Sequence, residues 1–203
     1  MESNSTLISY GTMTPRQIWL IRHSETAWSQ TGQHTGRTDI PLLPEAEPKL
    51  KALRPYLRHP FALVLCSPLQ RARQTATWAG LDSFQLDDNL MEWNYGDFEG
   101  KTRDEIQKLI PGWSIWTHGA RHGESLEEMA GRARKVIERA LGAAGDVALV
   151  GHGHILRVLA ACWLEISPAN AEHLALSTTS ISVLAYEDKF PVLARWNWQP
   201  DPS

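Results

Sequence analysis

Three short apolar runs, at residues 18–21, 63–65 and 147–150, each break off at residues suited to chemistry, and this pattern constrains the fold more than any other feature of the chain. Runs of this length with polar flanks read as buried strands. The stretches between them carry helical periodicity. Leu50, Leu53 and Leu57 share one face after Glu45, with Pro48 tolerable only in a first turn. Leu69, Ala72, Ala76 and Ala79 follow Ser67-Pro68, which reads as an N-cap with proline at the first helical position. Thr102-x-x-Glu105 and Ser125-x-x-Glu128 both fit a capping box, and the second opens a helix carrying Leu126, Met129, Ala133, Val136 and Ala140 to about Leu141. A further helix is predicted from about His154 to Trp163, weaker strands at 84–86, 178–186 and 192–198, and irregular loops from 24 to 44 and from 90 to 100. Alternation of strand and helix predicts an α/β fold, a three-layer αβα sandwich around a mostly parallel central sheet.

In such sheets ligands bind beyond the C-terminal strand ends. That rule gathers Arg22-His23 after the first run, Ser67 and Arg71 after the second, and His152 after the third. Two guanidiniums offer planar forks suited to phosphate oxygens. A neutral imidazole is a competent nucleophile toward phosphorus, and the nearby arginines Arg22 and Arg71 should keep His23 from protonating. His152 can donate a hydrogen bond to a phosphoryl group. Glu92, among Trp93, Tyr95 and Phe98, offers a proton for a leaving alkoxide, and an apolar setting beside an anion is expected to raise its pKa. Arginine and imidazole supply the positive charge, so neither a metal nor a cofactor is expected.

Length and charge narrow the remaining classes. A chain of 203 residues suits one domain, with residues 1–14 expected as a flexible leader, 15–198 as a single domain and 199–203 as a tail. The balance of 20 Lys and Arg against 23 Asp and Glu gives a net charge of −3, so no global positive field exists to attract nucleic acid or an anionic membrane. No apolar stretch is long enough to span a bilayer, and the N-terminus lacks the basic start and apolar run of a signal peptide. Cys66 and Cys162, in apolar runs without a CxxC, read as buried thiols in a reducing compartment, which points to the cytoplasm. The β-branched stretch from Thr178 to Val183 is compatible with a homodimer.

The segment from Leu20 to Trp28, with Arg22-His23-Ser24-Glu25-Thr26 at its centre, resembles the Arg-His-Gly-Glu-Thr signature of the histidine phosphatase superfamily, the phosphoglycerate-mutase-like fold. The stretch around Ser67-Pro68-Leu69-Gln70-Arg71 resembles that superfamily's second-arginine helix, Leu90 to Gly100 its acid loop, and Gly123-Glu124-Ser125 and Val150-Gly151-His152-Gly153 complete the order. The resemblance spans residues 18–179. It implies that His23 forms a phosphohistidine, that Arg22, Arg71 and His152 hold the phosphoryl group, and that Glu92 is general acid and then base. Ser24 departs from the usual Gly; its hydroxyl is expected to hydrogen-bond locally.

Residues 32–39, 113–119 and 151–154 resemble a branch that includes sedoheptulose-bisphosphatase-like enzymes and small bacterial acid phosphatases, whose substrates are typically sugar phosphates. The implied enzyme is a phosphoric monoester hydrolase of histidine acid phosphatase type acting on a small phosphomonoester. Only residues 101–122 separate the acid loop from Gly123, without the Arg-Arg pair of the mutases, which favours hydrolysis over phosphoryl return. The alternatives are a mutase-type phosphotransferase, a phosphoprotein phosphatase and a non-catalytic phospholigand-binding module.

Around the pocket, Gln33, Thr35, Gly36, Arg103 and Gly153 are candidate phosphate or substrate contacts, with His118, Arg121 and His122 as basic residues able to meet a sugar or second phosphate. Trp28, Trp93, Trp113 and Trp116 read as cleft wall and core. Glu25 reads as a structural hydrogen-bond partner, Glu124 as an orienting or helix-start acid, and His154 as a helix-start residue.

Overall fold

The apolar runs form strands because their side chains are buried on both faces. The computed structural model describes residues 17–200; the expected leader 1–14 and the end of the expected tail, 201–203, lie outside the described residues. The strands are β1 (Ile18–Arg22), β2 (Leu63–Cys66), β3 (Gln85–Leu86), β4 (Val147–Gly151), β5 (Ile181–Glu187) and β6 (Phe190–Trp198). They make one sheet in the order β3-β2-β4-β1-β5-β6. The first four are parallel, with Val147 in register with both Ile18 and Leu63, and β5 and β6 add antiparallel strands on one side.

The helices are α1 (Ala27–Thr31), α2 (Ala46–Leu57), α3 (Gln70–Trp78), α4 (Arg103–Leu109), α5 (Ile115–His118), α6 (Leu126–Leu141) and α7 (Gly153–Trp163). Side chains alternate across a strand, and β4 shows the result. Val147 and Leu149 join Met129 and Val136 of α6 and Ile155 and Leu159 of α7 in one core. Ala148 and Val150 join Leu50 and Leu53 of α2 and Ala72 and Ala76 of α3 in the other. The three-layer sandwich follows, and the strand ends of β1, β2 and β4 open on one side of it.

Both capping boxes form, at the starts of α4 and α6. The Ser67 cap does not. Helix α3 begins two residues past Pro68, its N-cap is Leu69, and no side chain caps it. The Ser67 hydroxyl is instead 2.7 Å from a ring nitrogen of His152, a partner 85 residues away that no local pattern shows. Helix α1 lies in the expected loop; five residues are too few for periodicity, and Thr26 and Ser29 cap it reciprocally. The loop after Leu90 is ordered by short 3-10 turns at Asp88–Leu90 and Gly96–Phe98.

Strand β5 starts at Ile181, later than its sequence predicts, and just before it Thr179 has φ 59°, a left-handed backbone that interrupts the extended run. With β1 on one side and β6 on the other, β5 offers no free edge, so 181–183 of the stretch read as compatible with a homodimer lie inside the sheet. Cys66 is buried and Cys162 only partly so; both are free thiols. Among the described residues, no helix is long and apolar enough to cross a membrane.

Candidate active site

The parallel strands deliver their C-terminal residues to a common point. Arg22 closes β1, and the backbone N–H of His23 donates to the Gly151 carbonyl at 3.0 Å, tying the ends of β1 and β4 together. His152 follows β4 directly and is the N-cap of α7. Arg71 lies in the first turn of α3. Glu92 comes from the loop after the first 3-10 turn. His23 and Glu92 are each 5% exposed, and Arg71 and His152 are fully buried. Arg22, His23, Glu92, Tyr95, Gly153 and His154 line a cavity of about 250 Å³, together with Gln33, Thr35 and Arg157.

The hydrogen bonds assign the protons. His23 Nδ1 lies 2.7 Å from the Ser24 carbonyl, which can only accept, so Nδ1 carries the hydrogen and Nε2 the lone pair. Burial, then Arg71 and Arg22, pull the pKa of His23 down to about 3, which keeps that lone pair free. Its ring stands 5.0 Å from that of His152, centroid to centroid.

His152 Nδ1 accepts from Arg71 Nε at 3.1 Å, so its own hydrogen is on Nε2, and that N–H donates to Ser67 Oγ at 2.7 Å. Burial and Arg71 hold this ring neutral, well below the usual imidazole value. The donor expected to meet a phosphoryl group is therefore engaged by Ser67. Arg71 is equally committed. Its Nη1 donates to the Thr38 carbonyl at 3.0 Å, and its Nη2 to the carbonyls of Thr35 and Gly36 at 3.1 and 2.9 Å. It places its charge behind His152 and pins the 35–38 loop.

Arg22 is different. One Nη1 hydrogen goes to the Leu176 carbonyl, and its buried Nε–H has no partner among the described residues. A Cβ on Gly153 would lie 3.2 Å from the Arg22 Cζ, so glycine there lets the guanidinium lie against the start of α7. A buried N–H left unpaired costs about 1–3 kcal/mol, and an anion in the cavity is the partner such a guanidinium fits.

Glu92 corrects an expectation. Burial does favour its neutral form, but that effect is outweighed. Oε1 accepts from the backbone N–H of Trp93 and of Ile155, both at 3.0 Å, and Oε2 from that of His154 at 2.9 Å. Two of these donors are first-turn amides of α7, whose dipole adds to the attraction. With the His154 side chain 3.8 Å from Oε2 as well, the carboxyl is held well below its usual range rather than above it. The signal missed in the sequence was that a helix start would face the acid loop.

The loop itself is clamped. Arg132 binds Glu124 through two contacts of 2.6 and 2.7 Å and donates from Nη1 to the carbonyls of Asn89 and Met91. Trp93 Nε1 donates to the Glu124 carbonyl at 2.6 Å. Glu124 thus orients the acid loop, with Arg132 as a partner that sequence reasoning missed. Ser24, in place of the usual Gly, is accommodated: its hydroxyl bonds Glu25 at 2.5 Å and Thr179 at 2.7 Å. Glu25 resists burial through Lys49 and Ser24, which bring its pKa down to about 2.

Of the expected contacts, Gln33, Thr35 and Gly153 line the cavity and Gly36 does not. Gly36 is buried beneath the loop, where its carbonyl holds Arg71 and its N–H donates to Glu99 at 2.7 Å. Arg103 lines a second, adjoining cavity. Arg121 and His122 sit against Asp97, and His118 folds back on Ser114 and Thr117, all on the exposed surface. Trp93 and Trp113 are core, Trp116 is cleft wall, and Trp28 packs near Gly100. His154 begins α7 but also binds the Tyr95 hydroxyl at 2.6 Å and faces the cavity. No group of three or more His, Cys, Asp or Glu able to hold a metal occurs among the described residues.

The model of the histidine phosphatase superfamily (branch 1) matches residues 18–199. The chain belongs to this superfamily. An acid phosphatase of Mycobacterium tuberculosis is 35% identical over 176 residues, covering 84% of this chain and 87% of the relative. A sedoheptulose 1,7-bisphosphatase of Saccharomyces cerevisiae is 34% identical over 188 residues, covering 76% of this chain and 69% of the relative. Among solved structures, the product of an open reading frame of Mycobacterium tuberculosis superposes with a TM-score of 0.86 at 33% identity, covering 91% of this chain and 98% of that one. The mostly parallel sheet with flanking helices is thus a phosphoglycerate-mutase-like histidine phosphatase fold.

Proposed function

We propose that the chain is a metal-independent phosphatase of small phosphomonoesters, sugar phosphates above all, working through a phosphohistidine on His23. The observation that carries this reading is the tautomer of His23: Nδ1–H is spent on Ser24, and Nε2 is left unprotonated in a cavity lined by a partly unpaired arginine. Nε2 attacks phosphorus as the bond to the leaving oxygen breaks, and Glu92 gives that oxygen a proton. Glu92 then takes a proton from the water that attacks the phosphohistidine, and phosphate leaves with His23 restored. The phosphoryl charge arriving beside Glu92 pushes its pKa back up, so the carboxyl takes up its proton when there is work for it. Arg22 holds the phosphoryl oxygens, while Arg71 and His152 supply charge and shape from behind. The relatives named as an acid phosphatase and a sugar bisphosphatase support a hydrolase acting on sugar phosphates.

The test is phosphate release in EDTA near pH 6 from sugar phosphates, phosphoglycerates, a phosphopeptide and p-nitrophenyl phosphate. Turnover by the wild type and its loss in His23→Ala is the expected result. Full activity in His23→Ala would overturn the mechanism, and an isomerised product that needs a bisphosphate primer would overturn hydrolysis.

A further inference from the structure

Among the described residues, two buried side-chain nitrogens lack a hydrogen-bond partner, Nε of Arg22 and Nη1 of Arg37. The first belongs to the catalytic cavity. The second does not, and a buried donor left unpaired calls for a partner. The 35–38 loop runs between two compartments. Thr35 lines the catalytic cavity, Gly36 is buried against Glu99, and Arg37 lines a separate cavity of about 420 Å³ beside Asn94 of the acid loop. This third cavity shares no lining residue with the other two.

Its lining is rich in donors. Glu128, Gly131, Arg132 and Lys135 fall at spacings of three and four on one face of α6. Arg132 is fixed there by Glu124, both of whose carboxylate oxygens it binds. Asn94 spends its Oδ1 on the Gly96 N–H at 3.1 Å, which leaves its amide nitrogen as a spare donor. Burial, and then the charge of Arg132, pull the pKa of Arg37 below the usual guanidinium value. Neither Arg37 nor Lys135 makes an ion pair among the described residues. The carboxylates are engaged elsewhere: Glu124 holds Arg132, and Glu128 Oε2 accepts from the N–H and hydroxyl of Ser125 at 2.8 and 2.7 Å. Three cations against two carboxylates leave this cavity with positive charge in excess, in a protein whose net charge is −3.

Gly131 is an independent observation. Glycine inside a helix is less favourable than alanine, and packing does not require it here: a Cβ on Gly131 would meet nothing within 4 Å outside its own turn. What the missing side chain provides is room in the cavity. The lining holds no aromatic or aliphatic residue, so nothing there would stack a nucleobase or hold an acyl chain. Guanidinium forks and an ammonium suit oxyanions. We propose that this third cavity binds a small polyanion, a phosphorylated or polycarboxylate compound, with Arg37, Lys135 and the Asn94 amide as donors, Arg132 as the fixed charge behind them, and Gly131 as the space the ligand fills. The site is separate from the phosphoryl-transfer cavity, and a ligand in it ties the 35–38 loop to α6.

An NMR titration of the nitrogen-15-labelled full chain tests it, with pyrophosphate and with citrate at constant ionic strength. Backbone amides of Gly123 and Lys135 report the third cavity, and those of His23 and Gly153 report the catalytic one, so the two sites are read separately. The expected result is a saturable shift at Gly123 and Lys135 with a Kd of about 1 mM or below for at least one probe, and the preferred probe tells phosphate from carboxylate. Gly131→Leu fills the cavity from a position with open space around it and raises that Kd about tenfold or more. Arg37→Met raises it about fivefold or more by removing the unpaired guanidinium. In both variants the rest of the spectrum, Gly153 included, stays as in the wild type, which separates lost binding from lost folding. Shifts confined to His23 and Gly153, no saturable shift with either probe, or a Kd unchanged in both variants would overturn the proposal. None of these readouts requires turnover, so the outcome is independent of the phosphatase reading.

Discussion

Glu92→Gln keeps the side chain's shape and removes its charge, and the structure says what that costs. Oε1 accepts two backbone N–H groups and Oε2 accepts one. A glutamine has a single acceptor oxygen, so its amide nitrogen must face at least one of those N–H groups. A hydrogen bond to a charged group contributes about 1.5–3 kcal/mol, and a buried N–H without a partner costs about 1–3 kcal/mol. These describe the same loss and are not summed. With roughly 0.5 kcal/mol for the missing anion at the α7 N-terminus, the variant is destabilised by about 2–3.5 kcal/mol at pH 7.

The pH dependence has a definite sign. The folded carboxyl titrates below the 4.5 of the unfolded chain, so its contribution is fully present above pH 4.5 and is lost as pH falls through the folded value. Glutamine does not titrate. The stability gap between the two proteins therefore narrows below pH 4.5, by up to about 1.4 kcal/mol per pH unit. Urea denaturation of both proteins at pH 7, 4.5 and 3.5 measures it. Equal stability at pH 7, or a gap unchanged on acidification, would refute the picture of an anion held by a helix start. Turnover gives a second reading: loss is larger for an alkyl phosphate than for p-nitrophenyl phosphate, and an equal loss would contradict the acid role.

Ser67→Ala removes the acceptor of a buried imidazole N–H and should cost about 1–3 kcal/mol, with turnover falling about tenfold as His152 loosens; wild-type stability in urea would show that the bond is dispensable. His23 titrates at about 3, so the kcat/KM profile should carry no limb near 6.5 from the nucleophile, and a limb there assigned to His23 by NMR titration would contradict the tautomer argument. Gly36→Ala would bring a Cβ to 2.3 Å from the Trp93 carbonyl and 2.6 Å from the Glu99 carboxylate. Backbone does not yield cheaply, so the substitution should destabilise by roughly 1–3 kcal/mol and loosen Arg71. An unchanged melting temperature would refute that.

Much of the architecture was legible in the chain. The runs ending at Ile21, Leu65 and Val150 and the two capping boxes are local patterns, and local patterns survive any tertiary arrangement. The convergence of Arg22, His23, Arg71 and His152 followed from one topological rule about parallel sheets. Short elements escaped, as α1 did, because five residues hold no periodicity. Ser67 was misread for a related reason: Ser-Pro before a helix is a good cap signal, and nothing nearby announces that a buried imidazole will compete for the hydroxyl.

The sequence by itself determined the layered α/β sandwich and the residues that stand at its strand ends, because apolar spacing and strand breaks are written within a few consecutive residues. The tertiary structure alone decided which nitrogen of His152 carries its hydrogen and that the Glu92 carboxyl is held charged. Arg71 meets His152 across 81 positions and Glu92 meets the α7 amides across 62 and 63. Which ring nitrogen holds a hydrogen, and whether a carboxyl is charged, depends on groups within about 3 Å, and only the folded chain brings such distant groups that close.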